Sequence, residues 1–299
     1  MGEAKVWRNY DQAGLDAQYN NRIRFPDYKA RFAAWAEWSA ATRENLDGRL
    51  DVAVGAHPGE RIDIFPAQAP RAAIHVFIHG GYWYSLDKSD YSYVAEGMAP
   101  NGVTTVLTNH VLAPHGSMDE IVAHTRAALA WTWRNAADFG ADASRIFVSG
   151  HSAGGQLAMM MLATDWPAYG SDLPQDLVKG VAAISGLFEL EPIQRSYLNE
   201  TLRMDPAMAT RNSPALLTYP RPAPLLLVPG ADESDEYRRQ SGDMAERWRA
   251  LGYPCEMYVP AGLDHFSVVD SLIDPNAELV SRLLETMGQA WNGKSHADH

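Results

Sequence analysis

Gly150-His151-Ser152-Ala153-Gly154 sets a serine between two glycines in the spacing Gly-x-Ser-x-Gly, with the strand-like run RIFVS before it and the helix-like run QLAMMMLA after it. A nucleophilic serine needs that placement at a sharp strand-to-helix turn, where strained backbone and close packing leave no room for larger neighbours. Its hydroxyl is a weak nucleophile at neutral pH and must give its proton to a base during attack. Three histidines follow Ser152; His296 and His299 lie in the terminal GKSHADH, which leaves His265 in the loop AGLDHFS. The imidazole in turn needs a carboxylate to hold its tautomer and support its positive charge. Asp232, Glu233, Asp235 and Glu236 crowd the loop after LLLVPG, and spacing alone does not choose among them. Some of these acids would serve instead at the start of the following helix. His79-Gly80-Gly81-Tyr82-Trp83 ends another strand-like run, and glycines there let backbone N–H groups approach a reacting carbonyl. Gly81, Tyr82 and Ala153 are therefore the expected oxyanion donors. Trp83 and His151 are expected in the wall of a substrate pocket, and His79 in packing or hydrogen bonding. No His-Glu-x-x-His or comparable cluster occurs, so neither a metal nor a cofactor is expected.

The elements that must position these groups are legible in the hydrophobic pattern. LDVAV and RIDIF alternate as strands around the turn-rich AHPGE and suggest an antiparallel entry to a sheet. AIHVFIHGG, TTVLTNHVLAP, RIFVSGHSAGG and VKGVAAISG are near-continuous apolar runs, the pattern of parallel strands covered on both faces. A crossover helix is expected over 119–139, another over 236–251 and a closing one over 275–291, so the alternation is that of a mostly parallel, doubly wound α/β sheet. Residues 1–48 read as a helical arm packed over the body, with Phe32, Trp35 and Trp38 on one face of a helix from Tyr28 to Arg43 and engaged in packing rather than in ligand contact. Residues 187–222 carry helical propensity without a strand and read as a cap insertion over the site. The tail 293–299 is expected to be disordered. One domain of 299 residues accommodates all of this.

Composition narrows the function. A formal charge of −12 with no basic run argues against nucleic acid, whose binding requires Lys and Arg to neutralise phosphates. Cys255 is the single cysteine, so neither an intramolecular disulfide nor a cysteine-based metal cluster is available. The first residues lack a basic stretch followed by an apolar one, and no apolar run approaches the ~20 residues of a spanning helix. A cytoplasmic protein with no membrane partner is the expectation, and self-association into a homodimer is left open.

Several longer phrases make the chain resemble the arylformamidases (kynurenine formamidases) and their esterase relatives: YNNR, HGGYW followed by LDKSDYS, NHVLAP, GHSAGGQLA, LEPIQRSYLNE with NSP, ESDEYRRQS and the late DHF. The resemblance runs through most of the chain. It implies an α/β-hydrolase fold and a serine hydrolase cleaving an N-formyl aryl amide such as N-formylkynurenine through an acyl-enzyme. A carboxylesterase of small acyl or aryl esters is the alternative, and a non-catalytic binder on the same scaffold is the rival from another class. Laying the family's acidic phrase on residues 233–241 puts the triad acid at Glu233, with Asp232 as the alternative. NHVLAP stands where the family more commonly has Asp-Tyr-x-Leu-Ala-Pro. The implied partner is a small aromatic amide or ester, in a pocket built from Tyr82, Trp83 and cap residues.

Overall fold

The computed structural model describes residues 4–288. Three helices precede the sheet: α1 Gln12–Tyr19, α2 Asn21–Arg24 and α3 Tyr28–Asn45. The strands are β1 Arg49–Ala53, β2 Arg61–Phe65, β3 Ala72–Ile78, β4 Val103–Thr108, β5 Ala141–His151, β6 Val178–Ile184, β7 Leu225–Val228 and β8 Cys255–Met257. They form one sheet in the order β1-β2-β4-β3-β5-β6-β7-β8. The pairs β1/β2 and β2/β4 are antiparallel, and every later pair is parallel. The expected antiparallel entry and parallel body are thus both present.

Burial explains the strand sequences. All residues of β3 and β4 are buried, because helices cover both faces, whereas edge strand β1 is largely exposed. Side chains alternate along β3: Ile74, Val76 and Ile78 enter one apolar core and Ala73 and Phe77 the other. The first core also receives α1, α5 Met118–Asn135, α6 Ala153–Leu162 and α11 Asp235–Ala250; the second receives α3, α4 Val94–Met98 and α12 Glu278–Thr286. Two-sided coverage of this kind is what right-handed crossovers produce.

Local signals account for the helix limits. Ser117 and Glu120 form a reciprocal capping box at the start of α5, and its end passes through a 3-10 turn to Gly140, whose φ of +74° stops it. In α11, Tyr237, Gln240, Ser241, Met244, Ala245 and Trp248 form the buried face at helical spacing. Helix α12 is shorter than expected and ends at Thr286; the remainder of the expected helix, like the tail 293–299, falls largely outside the described residues. The short α7 Trp166–Tyr169 precedes β6. Residues 187–222 form α8 Glu191–Arg195, α9 Asn199–Leu202, α10 Pro206–Arg211 and a 3-10 turn, with no strand among them. No helix among the described residues is long and apolar enough to cross a membrane.

Candidate active site

Four loops at the carboxyl ends of parallel strands converge, as open α/β sheets require of a ligand site. Ser152 follows β5 at the N-cap of α6, with φ 57° and ψ −118°. A non-glycine residue there is strained, and the surroundings hold it: its N–H donates to Ile184 O at 2.8 Å. Gly154 shows why the motif needs glycine, because a Cβ there would lie 2.0 Å from the Ile78 carbonyl oxygen.

His265, in the loop after β8, places Nε2 3.0 Å from Ser152 Oγ. Its Nδ1 lies 2.5 Å from Glu233 Oε1, and Glu233 Oε2 accepts from Gly230 N–H at 3.0 Å. All three residues are at most 2% exposed, so these bonds are made largely out of water. Asp232 is the exposed neighbour, tied into the loop through its backbone N–H to Leu263 O. Asp235 is likewise exposed at the start of α11, and Glu236 is engaged by Arg239 and by the Tyr19 hydroxyl. Of the four acidic candidates, the structure brings Glu233 to the imidazole.

The loop after β3 runs through three consecutive residues of positive φ, Gly81 at 107°, Tyr82 at 51° and Trp83 at 61°. At Gly81 a Cβ would also meet the Ser85 carbonyl oxygen at 2.0 Å, so the turn excludes any other residue. No acceptor engages the Gly81 or Tyr82 N–H among the described residues, and Ala153, the first residue of α6, has no intrahelical acceptor by position. These are the three donors expected from the sequence, and their loops flank Ser152.

Buried histidines and tyrosines brace this loop. His79 Nδ1 donates to Gly80 O at 2.7 Å, and its ring stacks on His110 at 4.6 Å. His110, which with Asn109 is where NHVLAP departs from the family phrase, thus lies under the loop, with burial pushing its imidazole pKa down to about 3. His151 Nε2 donates to His265 O at 2.7 Å, and burial, helped by the neighbouring His265, drives its pKa well below the usual value and keeps it neutral. Tyr82 donates its hydroxyl to Tyr19 O and accepts from Tyr237 at 2.7 Å and from Asn21 Nδ2 at 3.1 Å. Burial raises both phenols far above their ordinary range, so they stay protonated.

A small cavity opens on Ser152, lined mainly by rings: Phe32, Trp35, Tyr82, Tyr91, His151 and Phe266, with Arg22 and Leu86. Two expectations are corrected. Trp83 is fully buried and absent from this lining, because its positive φ turns the indole toward α6, where Nε1 donates to Gln156 at 3.0 Å. The cap contributes nothing to the lining; it packs on α1, α6 and α11 through Tyr197 N–H to Asp16, Gln156 to Asn212 O and Arg239 to Glu189. The wall comes from the amino-terminal arm instead, so Phe32 and Trp35, read from the sequence as packing, face the cavity. The YNNR phrase was the available signal for Asn21 and Arg22, as LDKSDYS was for Tyr91 and the late DHF for Phe266. Among the described residues no group of three His, Cys, Asp or Glu side chains is placed to hold a metal ion.

Comparison with known proteins agrees with this architecture. The BD-FAE family pattern matches residues 62–247. A kynurenine formamidase of Danio rerio is 28% identical over 95% of this chain and 99% of that protein. Esterase LipC of Mycobacterium tuberculosis is 24% identical over 68% of this chain and 55% of its own length. Among solved structures, a candidate thioesterase from Silicibacter sp. TM1040 superposes with a TM-score of 0.79 at 28% identity, covering 89% of this chain and 97% of the other.

Proposed function

The chain belongs to the BD-FAE family and is a hydrolase of the α/β-hydrolase fold; from that premise we propose that it is a serine hydrolase cleaving N-formyl aryl amides, N-formylkynurenine being the test case. The observation that carries the reading is the unbroken line Glu233 Oε1, His265 Nδ1, His265 Nε2, Ser152 Oγ, with contacts of 2.5 and 3.0 Å. In the proposed reaction His265 Nε2 takes the hydroxyl proton as Ser152 Oγ attacks the formyl carbon. Negative charge then gathers on the former carbonyl oxygen, where the N–H groups of Gly81, Tyr82 and Ala153 stabilise it. The C–N bond breaks, and His265 returns the proton to the departing amine. Water, deprotonated by the same imidazole, hydrolyses the formyl ester on Ser152 and releases formate. Glu233 keeps Nδ1 protonated throughout and offsets the positive charge on the ring.

The rings beside Ser152 offer an aryl group apolar contacts next to the nucleophile, and full-length similarity to a protein named kynurenine formamidase supports the same substrate class. Carboxyl-ester hydrolysis is the second reading, supported by the resemblance to esterase LipC. Incubating the purified protein with N-formylkynurenine, an aryl acetate and a fluorophosphonate probe tests both. Kynurenine and formate in equal amounts, with the probe on Ser152, is the expected result. Rapid acetate cleavage with no formamide turnover would replace the formamidase reading by the esterase one. Absence of both activities and of labelling would leave a binding protein.

A further inference from the structure

The cavity at Ser152 has in its wall a cation with no acidic partner among the described residues. Arg22, in α2, lines the cavity beside rings, apolar groups, two histidines and the serine. Its guanidinium lies over Tyr28 at 5.6 Å and over Tyr84 at 5.9 Å, and Nη2 donates to Ser85 Oγ at 3.1 Å. Among the described residues no carboxylate lies within ion-pair distance of it, whereas Arg31, Arg43 and Arg239, also partly buried, pair with Asp270, Asp63 and Glu236. The chain carries 37 acidic residues against 25 basic ones, so an arginine without an acidic partner is not for want of acids. Two aromatic neighbours and one hydroxyl hold the planar group in place while leaving donors unused. A preorganised guanidinium at the edge of a mostly apolar cavity binds a carboxylate far better than water-exposed arginine would.

We propose that Arg22 is a specificity-determining residue that recognises a carboxylate on the substrate, so that the enzyme prefers an aryl amide or ester that bears a carboxylate to a counterpart that lacks one. The proposal rests on the serine-hydrolase reading for its assay but concerns a different part of the cavity. Ser85 Oγ also donates to Gly81 O at 2.9 Å, which ties Arg22 through one hydroxyl to the loop carrying the oxyanion donors. A purely structural strut is therefore the competing role, and it would affect substrates with and without a carboxylate alike.

The test measures discrimination, not activity alone. In the wild-type enzyme and in Arg22→Gln and Arg22→Lys, kcat/KM is compared for N-formylkynurenine and for its α-carboxamide, which keeps the aryl formamide and the ammonium group but replaces the carboxylate by a neutral amide. In parallel, 3-phenylpropionate and 3-phenylpropionamide compete against hydrolysis of 4-nitrophenyl acetate. Loss of a charge-assisted contact should lower the carboxylate-to-carboxamide ratio about 10- to 100-fold in Arg22→Gln, through KM, with partial retention in Arg22→Lys. The preference of the wild type for 3-phenylpropionate over its amide should vanish in parallel. An unchanged ratio in Arg22→Gln, or a wild type indifferent to the carboxylate in both arms, overturns the proposal. If no formamide is cleaved, the formamidase reading falls by itself, and the inhibitor arm still decides the role of Arg22.

Discussion

Replacing Glu233 by glutamine keeps the shape of the side chain and removes its charge, and the geometry dictates two penalties. Glu233 accepts at both oxygens, from His265 Nδ1 at 2.5 Å and from Gly230 N–H at 3.0 Å. A glutamine amide offers one acceptor and one donor, so one of these contacts must become donor against donor. If its oxygen faces His265, the NH2 opposes Gly230. If its NH2 faces His265, the imidazole must carry its proton on Nε2 and can no longer accept from Ser152. The second penalty is electrostatic: a carboxylate and an imidazolium about 4 Å apart attract by about 4 kcal/mol at an effective dielectric near 20, which is about a thousandfold in rate. Together these predict a fall in kcat of about 10^3- to 10^4-fold for Glu233→Gln. Asp232→Asn, at an exposed site, should change kcat less than about threefold. Steady-state kinetics on an aryl acetate and an aryl formamide, with thermal unfolding as a control on folding, decide the matter. A loss under tenfold in a folded Glu233→Gln protein, or a crippled Asp232→Asn, would refute the reasoning.

Ser152→Ala should fold normally and retain below a thousandth of the turnover, and adding His265→Ala should cost little more, because members of one catalytic unit are not additive; multiplicative losses in the double variant would separate them. Gly154→Ala should be destabilised by about 1–3 kcal/mol or more in denaturant unfolding, since its Cβ would sit 2.0 Å from Ile78 O; near-wild-type stability would show that the elbow can open. Tyr237→Phe removes a 2.7 Å bond to Tyr82 and should lower kcat about 2- to 10-fold with KM nearly constant; a change in KM alone would place Tyr237 in substrate binding instead. Burial pushes His75 down to about 4 from an ordinary 6.5, so the unfolded chain takes up its proton first and stability is lost as pH falls from about 6.5 toward 4. Melting temperatures across that window should fall less steeply in His75→Gln than in the wild type, and parallel slopes would exclude the assignment.

Local periodicity and turn chemistry made much of the scaffold legible in the sequence. The apolar runs that became β3 to β6 and the strand-turn-helix setting of Ser152 depend on residues a few positions apart, and each reads the same in isolation as in the folded chain. Elimination among the downstream histidines likewise needed no structure to reach His265. Which side chains meet across long separations was decided by tertiary packing. Asp232 and Glu233 are adjacent and chemically alike, yet the turn after Gly230 sends one to solvent and the other to His265, a partner 32 positions away. Trp83 follows Tyr82 in the same phrase, but positive backbone angles carry it off the cavity and onto Gln156. Trp35 reaches Asp270, 235 positions downstream, because α3 folds back over the sheet; that packing, absent from any short window of sequence, makes the amino-terminal arm rather than the cap the wall of the cavity. Backbone preferences act over a few residues, whereas a cavity is the gap left when distant elements pack, and its lining follows from their docking.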